Sequence, residues 1–185
     1  MGPIAMIIIF ICLCTDNMVT ANMSAMNMEL KTKSVFSIKT ALVFMAFNVL
    51  FFTVGYIFSM IFFRPYFAPS ANWIAFAFLL LLGIKYMLET VEKSPSFKEN
   101  EIADTAKMLK VSILSGCQFF FVGYGLELMG RTWFPEVFFL IIISFLMTIL
   151  GFHLGSKTSK TIITKKAEFV AGLILVIMAI RLVLL

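Results

Sequence analysis

Six long apolar segments dominate this chain and leave few folds open to it. They cover about residues 4–28, 38–62, 71–91, 108–130, 134–155 and 168–185. At about 1.5 Å per residue, each could cross the roughly 30 Å hydrocarbon core of a bilayer as a helix. Only helices and closed barrels satisfy their backbone hydrogen bonds in lipid, and these runs are too continuously apolar for barrel strands. The sequence therefore predicts an all-α integral membrane protein with six transmembrane helices.

The composition also indicates that lipid is the solvent of this chain. Hydrophobic residues make up 61% of its 185 residues, which is more apolar surface than a soluble core of this size could hide. All three cysteines lie inside apolar segments, in positions typical of packing rather than of a disulfide framework. No lysine or arginine precedes the first apolar run, so we interpret that run as a retained helix and not as a signal peptide.

Basic residues alternate between the connections. The second and fourth connections offer only Arg64 and Arg131, whereas the first, third and fifth are rich in lysine. The lysines are Lys31, Lys33, Lys39, Lys93, Lys98, Lys107, Lys110, Lys157, Lys160, Lys165 and Lys166. Because such residues stay on the cytoplasmic side, we expect a multi-pass inner-membrane protein with both termini outside the cell. The net charge of +5 then reflects membrane orientation, and no nucleic-acid partner is expected.

The first segment carries a carboxylate, Asp16, near the middle of an otherwise apolar helix. An ionisable group there costs about 2.5–3.5 kcal/mol on insertion scales and usually faces a cavity or a partner. Four polar side chains, at helical spacings of four, four and three, share one side of this helix. They are Asp16, Thr20, Ser24 and Asn27. Asn17 lies beside this polar stripe and widens it, which makes the stripe the strongest candidate for a functional surface.

A hydrophilic stretch at 92–107 divides the chain into two halves of three segments each. We interpret this stretch as a cytoplasmic linker because its Lys, Glu, Ser and Pro residues lack apolar periodicity. The expected organisation is a single membrane domain over 1–185, with repeat one in 1–91 and repeat two in 108–185. Because each repeat has an odd number of helices, the second repeat crosses the membrane in the opposite orientation to the first. Inverted repeats are common in secondary transporters, whose substrate binds near the midplane where the repeats meet.

Matched residues support the two repeats. The pairs separated by 96 positions are Asn48 with Ser144, Gly55 with Gly151 and Lys85 with Arg181. In the first helix of each half, Asp16 matches Gln118 at a separation of 102 positions. We expect the functional site where these paired first helices meet.

The side chains expected there are a carboxylate, amides and hydroxyls, which are hard oxygen ligands suited to Mn²⁺ or Mg²⁺. The predicted metal ligands are Asp16, Asn17, Thr20, Gln118 and Asn48, with Ser115 as a further candidate. Two alternatives remain open for Asp16: it carries a proton, or it has a structural role in which it pairs with Lys85 or forms hydrogen bonds across helices. Lys85 and Arg181 are read either as snorkelling side chains or as counter-charges and gating residues.

Small residues predict close helix packing in the first and fourth segments. They are Ala21, Ala25, Ser112, Gly116 and Gly123. Glu127 and Glu136 are expected at the membrane interfaces. An enzyme is disfavoured because a single carboxylate lies deep in the membrane and His153 is the only histidine, so neither an acid dyad nor a catalytic triad can be assembled. No cofactor is expected.

The chain resembles the MntP-type manganese efflux pumps of the wider LysE-like transporter group over nearly its whole length. The family's first motif, Ser-x-Asp-Ala-Phe-Ala-Val-Ser, is similar to Cys14–Ala21. The family's second helix carries Phe-Gln and then Gly, which is similar to Phe47-Asn48 and Gly55 here. Its third helix carries Trp and then Gly-x-Lys, which is similar to Trp73 and Gly83-Ile84-Lys85. The family repeats the acid in a second motif, whereas this chain has Gln118 there.

The resemblance implies a transporter that exports divalent metal cations, most of all Mn²⁺, by alternating access around a midplane site centred on Asp16. The loss of the second acid favours weaker divalent binding or a different substrate. The alternatives are a LysE-like exporter of another cation or of an amino acid, and a non-transporting membrane protein that binds a partner helix. The expected partners are a divalent cation and the lipid bilayer, and a homo-oligomer is compatible with the sequence.

Overall fold

The computed structural model describes residues 2–26, 30–63, 70–91, 105–157 and 161–184, and the regular elements in these ranges are all helices. In chain order they are α1 (Pro3–Met26), α2 (Leu30–Phe58), α3 (Ala71–Val91), α4 (Thr105–Leu128), α5 (Trp133–Lys157) and α6 (Thr161–Leu184). The end of α2 continues into a π-helical turn, Ser59–Phe63. The prediction of an all-α chain is confirmed.

Five of the helices contain stretches long and apolar enough to cross a membrane. These stretches are Ile4–Ala25, Val35–Phe62, Met108–Leu128, Trp133–Gly155 and Lys166–Leu184. In α3 the apolar stretch is shorter, Asn72–Leu88. Length and composition therefore describe a multi-pass membrane protein.

The helices extend beyond the apolar segments that predicted them. α2 begins at Leu30 rather than near residue 38, α6 at Thr161 rather than near 168, and α4 at Thr105. Helical hydrogen bonds are satisfied within the helix itself, so a helix need not end where its sequence becomes polar. The part of the predicted linker at 92–104 lies outside the described residues, as do Asn27 and Arg64.

Polarity is distributed in the opposite sense from that of a water-soluble protein. Large apolar side chains such as Leu114 (60% exposed) and Ile177 (53% exposed) lie on the outside, whereas Asn17, Asn48 and Ser144 are fully buried. Water would penalise such an apolar exterior, and a bilayer would not. The surface therefore fits lipid, and the polar groups that matter lie between the helices.

The two halves of the chain interlock. α1 packs mainly on α5, α2 on α4, and α3 on α6, so the main partner of each helix comes from the other half. Further contacts join α2 to α5, α1 to α6 and α3 to α4. Four helices, α1, α2, α4 and α5, meet around the middle of the molecule, and this crossing holds the polar side chains.

Two helix crossings are close enough to require glycine. A Cβ atom on Gly55 in α2 would overlap the carbonyl of Phe120 in α4, and one on Gly151 in α5 would overlap the carbonyl of Met18 in α1. The backbones touch directly at these points, as in other membrane helix pairs with small interface residues. These contacts hold α1 against α5 and α2 against α4.

The predicted packing residues lie at or near the same crossings. Ala21 and Ala25 face Gly151 and Gly155, where added Cβ atoms would come within 2.9 Å of the alanine Cβ atoms. In α4, an added Cβ on Gly123 would overlap the carbonyl of Phe52. The other two are Gly116, which lies against the ring of Phe51, and Ser112, whose hydroxyl donates to the Met108 carbonyl at 2.8 Å.

Candidate ion-binding site at the four-helix crossing

A buried polar cluster joins the four central helices, with one side chain from each: Asn17 (α1), Asn48 (α2), Ser115 (α4) and Ser144 (α5). All four are at most 4% exposed. The Ser115 hydroxyl donates to Asn17 Oδ1 at 2.5 Å, and Asn17 Nδ2 donates to Ser144 Oγ at 3.4 Å. Asn48 Nδ2 donates to the same Ser144 oxygen at 2.9 Å. The cluster thus brings together two of the predicted ligands, Asn17 and Asn48.

One acceptor in this cluster lacks a protein donor. Within the described part of the chain, no hydrogen bond reaches Asn48 Oδ1, although Asn48 is fully buried. A buried acceptor without a partner costs about 1–3 kcal/mol, so such groups are rare in folded proteins. An amide oxygen in this state suits a cation, which accepts electron density without needing a proton.

Asp16 lies beside the cluster and is partly exposed. The Lys85 ammonium of α3 is close enough to attract its carboxylate electrostatically. The Lys85 Nζ atom lies 5.8 Å from the centre of the Tyr86 ring. Lys85 and Arg181 are both exposed, and Arg181 lies near the end of α6.

The predicted ligand Gln118 is held by other groups. Tyr86 donates from its hydroxyl to Gln118 Oε1 at 2.8 Å, and Gln118 Nε2 donates to the Leu13 carbonyl at 3.3 Å. The Tyr86 hydroxyl also lies 3.0 Å from that carbonyl. Both ends of the amide are occupied, so Gln118 ties α4 to α1 and α3 in this structure. The sequence offered no signal for Tyr86, because a tyrosine in an apolar helix is normally a packing residue.

The polar stripe of α1 changes its exposure along the helix. The side chains that follow Asp16 on this side of the helix are partly exposed; they are Thr20, Met23 and Ser24. The exposed Ile11 lies on the opposite side of α1. Before Asp16, the same side is closed: Ile9 is 2% exposed. This side of α1 is therefore partly exposed from Asp16 to Ser24 and buried before Asp16.

The corresponding side of α4 is closed beyond Gln118. Val122 is 6% exposed and Leu126 is 5% exposed. Both line a small apolar cavity with Ile9, Leu79 and Phe78. This side is thus polar and partly exposed along the second half of α1, and apolar and buried along the second half of α4.

A thiol and two further acids are also buried. Cys14 is fully buried and belongs to the hydrophobic core of the bundle. Glu127, expected at a membrane interface, is 1% exposed and accepts a hydrogen bond from Ser59 of the π-helical turn at 2.8 Å. Glu136 is also buried, at 5% exposure. Glu127 lies in the last turn of α4 and Glu136 in the first turn of α5, so both are near helix ends although their side chains are covered by other residues.

The donor set around Asp16 is mostly neutral. In the described ranges, no three His, Cys, Asp or Glu side chains come together as a conventional metal cluster would require. What the crossing offers is one carboxylate beside amide and hydroxyl oxygens. Oxygen donors of this kind bind hard divalent cations, and the low total charge favours a site from which an ion can leave.

Comparison with known proteins points to one family. Residues 29–183 match a family model described as "Putative manganese efflux pump". A protein of Elusimicrobium minutum named putative manganese efflux pump MntP is 25% identical over 173 residues, covering 93% of this chain and 91% of that protein. A protein of the same name from Campylobacter jejuni is 27% identical over 141 residues, covering 76% and 74%. No solved structure matches the chain.

Proposed function

Because this chain belongs to the Mntp family of manganese efflux pumps, we propose that it exports divalent metal cations, Mn²⁺ above all, through a site centred on Asp16. Membership of that family makes it a membrane transporter and not an enzyme. The observation that carries the proposal is the position of Asp16. It is the carboxylate at which the partly exposed side of α1 meets the buried polar cluster, and we infer that this side lines a groove from Asp16 towards Ser24.

The proposed ligands are Asp16, Asn17, Asn48 and Thr20. Asp16 supplies the charge, and Asn48 Oδ1 supplies an amide oxygen that has no protein donor. Thr20 lies one turn along the groove from Asp16, where it would meet an ion that is still partly hydrated. Gln118 joins this set only when Tyr86 releases its amide oxygen, so in the present arrangement it positions helices instead of binding the ion.

Lys85 is the proposed counter-charge. Its ammonium attracts the Asp16 carboxylate while no ion is bound, which lowers the cost of holding a carboxylate within the membrane. An arriving divalent cation would displace that attraction, since two positive charges cannot share one carboxylate without repulsion. Release of Lys85 would then signal occupancy to α3. Arg181, at the matched position of α6, would have the corresponding gating role in the second half.

The proposed architecture is a pair of inverted three-helix repeats, 1–91 and 108–185, in one membrane domain. The pairing of the helices supports this architecture. In two repeats, α1 corresponds to α4, α2 to α5 and α3 to α6, so the α1–α5 contact is equivalent to the α4–α2 contact, and the α3–α6 contact is equivalent to itself. The glycine crossings obey the same exchange, with Gly55 on Phe120 and Gly151 on Met18. Asn48 and Ser144, matched in sequence, are hydrogen-bonded to each other, as expected of equivalent residues beside a twofold axis.

Transport would proceed by alternating access. In two equivalent repeats, Asp16, Thr20 and Ser24 correspond to Gln118, Val122 and Leu126, yet only the first three are partly exposed. That difference supports a state open along α1 and closed along α4. With the lysine-rich connections inside the cell, the open groove faces the cytoplasm, which is the state that receives an ion for export. Closing α1 and opening α4 would present the same site to the outside.

The test is protection of cells from manganese. In a host cell that lacks its own manganese exporter, this chain, expressed and inserted into the inner membrane, should restore growth in excess Mn²⁺ and lower cell-associated manganese. An equally expressed, membrane-inserted chain that gives no protection and no fall in cell manganese would refute the proposal.

A further inference from the structure

Ser144 is a hydrogen-bond acceptor that two buried amides share. Asn48 Nδ2 donates to its hydroxyl oxygen at 2.9 Å, and Asn17 Nδ2 donates to the same oxygen at 3.4 Å. All three side chains are fully buried. A hydroxyl oxygen has two acceptor lone pairs, so the two amides use both of them. One hydroxyl of α5 thus links an asparagine of α1 to an asparagine of α2, and the two amide groups are neighbours.

The direction of these bonds decides which end of each amide is available to a ligand. The two ends of an asparagine amide have nearly the same shape, but the oxygen accepts hydrogen bonds and the NH₂ group donates them. In Asn17, Ser115 donates to the oxygen at 2.5 Å and the NH₂ group donates to Ser144. In Asn48, the NH₂ group donates to Ser144, and no hydrogen bond from the described residues reaches Oδ1. Ser144 therefore leaves an oxygen as the available end of Asn48.

Removal of the Ser144 oxygen would change this orientation. Two buried NH₂ groups would lose their acceptor, at a cost of about 1–3 kcal/mol for each unsatisfied group. Asn48 Oδ1 is an acceptor in the same cluster, so the neighbouring Asn17 NH₂ group would turn to it, or the Asn48 amide would itself turn over. Either change takes an oxygen away from a cation, because an NH₂ group presents positively polarised hydrogens to it.

We propose that Ser144 is a positioning residue of the ion site: by accepting from both amides it keeps Asn48 Oδ1 available to the ion. Ser144 acts through Asn48 and is not itself assigned as a ligand. Residues that orient the ligands of a metal site typically change metal affinity by about 10–100-fold when they are removed. This inference rests on the proposed function, because it takes Asn48 as a ligand of the exported ion.

The first experiment measures Mn²⁺ binding to the purified full-length chain, by the loss of the electron paramagnetic resonance signal of free Mn²⁺. Ser144→Ala should weaken binding by about tenfold or more. Thr148→Val is the matched control, because it removes another fully buried hydroxyl of α5, one that donates to a carbonyl of its own helix at 2.8 Å. It should leave the affinity unchanged. Unchanged affinity in Ser144→Ala would overturn the inference.

A further variant covers the case in which Ser144→Ala does not insert. Ser144→Cys keeps a side chain of similar shape, but its sulfur is only a weak acceptor. It should weaken Mn²⁺ binding in the same direction as Ser144→Ala. Full affinity in a correctly inserted Ser144→Cys chain would also overturn the inference.

The second experiment separates positioning from packing. Asn48→Asp places an oxygen at both ends of the side chain, so the orientation that Ser144 imposes no longer matters. In that background, Ser144→Ala should change Mn²⁺ affinity by only a small part of its effect in the unsubstituted chain. An equal loss in both backgrounds would show that Ser144 acts through packing and would overturn the inference.

Transport by proteoliposomes then tests the proposed function separately. Mn²⁺ binding that depends on Ser144, in an unsubstituted chain that carries no Mn²⁺ across the membrane, would refute export and leave the role of Ser144 standing. Mn²⁺ binding and transport that are both independent of Ser144 would overturn the inference and leave export standing.

Discussion

Asp16 has its proposed role because of where it lies along α1. Before Asp16, this side of the helix carries buried apolar residues such as Ile9. After Asp16, it carries partly exposed polar residues such as Thr20 and Ser24. A carboxylate at that boundary can exchange with water on one side while it contacts buried amides on the other. This is the kind of position in which the cost of an intramembrane acid is offset by a partner or by an ion.

Tyr86 and Gln118 should act as one structural unit. Tyr86→Phe and Gln118→Leu each remove their shared hydrogen bond, so each should lower the free energy of unfolding by about 1 kcal/mol. The double variant should lose less than the sum, with a coupling of about 0.5–1.5 kcal/mol in a double-mutant cycle. The measurement is thermal or denaturant unfolding in detergent. Additive losses would contradict the proposed link between α3 and α4.

Single residues were predictable where their polarity contrasts with their segment. Asp16, Asn17 and Asn48 stand out in apolar runs, and the structure places them at or beside the central crossing. Tyr86 does not stand out, because tyrosine is a common packing residue. Hydroxyls are ambiguous for another reason: Thr15 bonds the carbonyl of Ile11 in its own helix, whereas Ser144 bonds across helices. Only the packing distinguishes these cases.

At the scale of helices, the sequence predicted the number, the order and the approximate positions of the helices that the structure describes, because a bilayer fixes the length of an apolar span. It did not predict the helix ends, since α2 and α6 begin several residues earlier than their apolar runs. It also did not predict the π-helical turn Ser59–Phe63. That turn extends α2 to where Ser59 meets Glu127, a contact between residues far apart in the chain.

The two glycine crossings should be intolerant of a methyl group. Gly55→Ala and Gly151→Ala each place a Cβ onto a backbone carbonyl, so each should cost about 1–3 kcal/mol or more of stability. Gly125→Ala is the matched control, because its Cβ would lie 3.4 Å from its nearest neighbour, the Ala75 Cβ. Unfolding in detergent is the measurement. If Gly55→Ala unfolded at the same temperature as Gly125→Ala, the close approach of α2 and α4 would be wrong.

For the whole molecule, the interlocked halves would couple the two ends of the proposed ion path. Because α1 packs on α5 and α4 on α2, a movement of α1 that closes the proposed groove would also shift helices of the other half. Close packing makes such assemblies bistable rather than continuously deformable. The pairing of halves could not be read from segment order, because it depends on which helices cross and not on which are adjacent in the chain.

Accessibility to a thiol reagent should differ between the two halves. In a background with Cys12→Ser and Cys117→Ser, cysteines placed at Thr20 and Ser24 should react with a membrane-impermeant reagent from the cytoplasmic side. Cysteines at Val122 and Leu126 should resist it, because these positions are packed. Labelling of inside-out membrane vesicles measures the rates. Equal rates at Thr20 and Val122 would contradict a groove that is open on one side only.

The most direct test of the account is Mn²⁺ flux through the purified, reconstituted chain with and without its central carboxylate. Asp16→Asn keeps the size of the side chain and one of its acceptor oxygens but removes the charge. The account predicts Mn²⁺ transport well above that of protein-free liposomes for the unsubstituted chain, and transport at their level for a correctly inserted Asp16→Asn chain. Transport by Asp16→Asn at the unsubstituted rate would contradict the central role of Asp16.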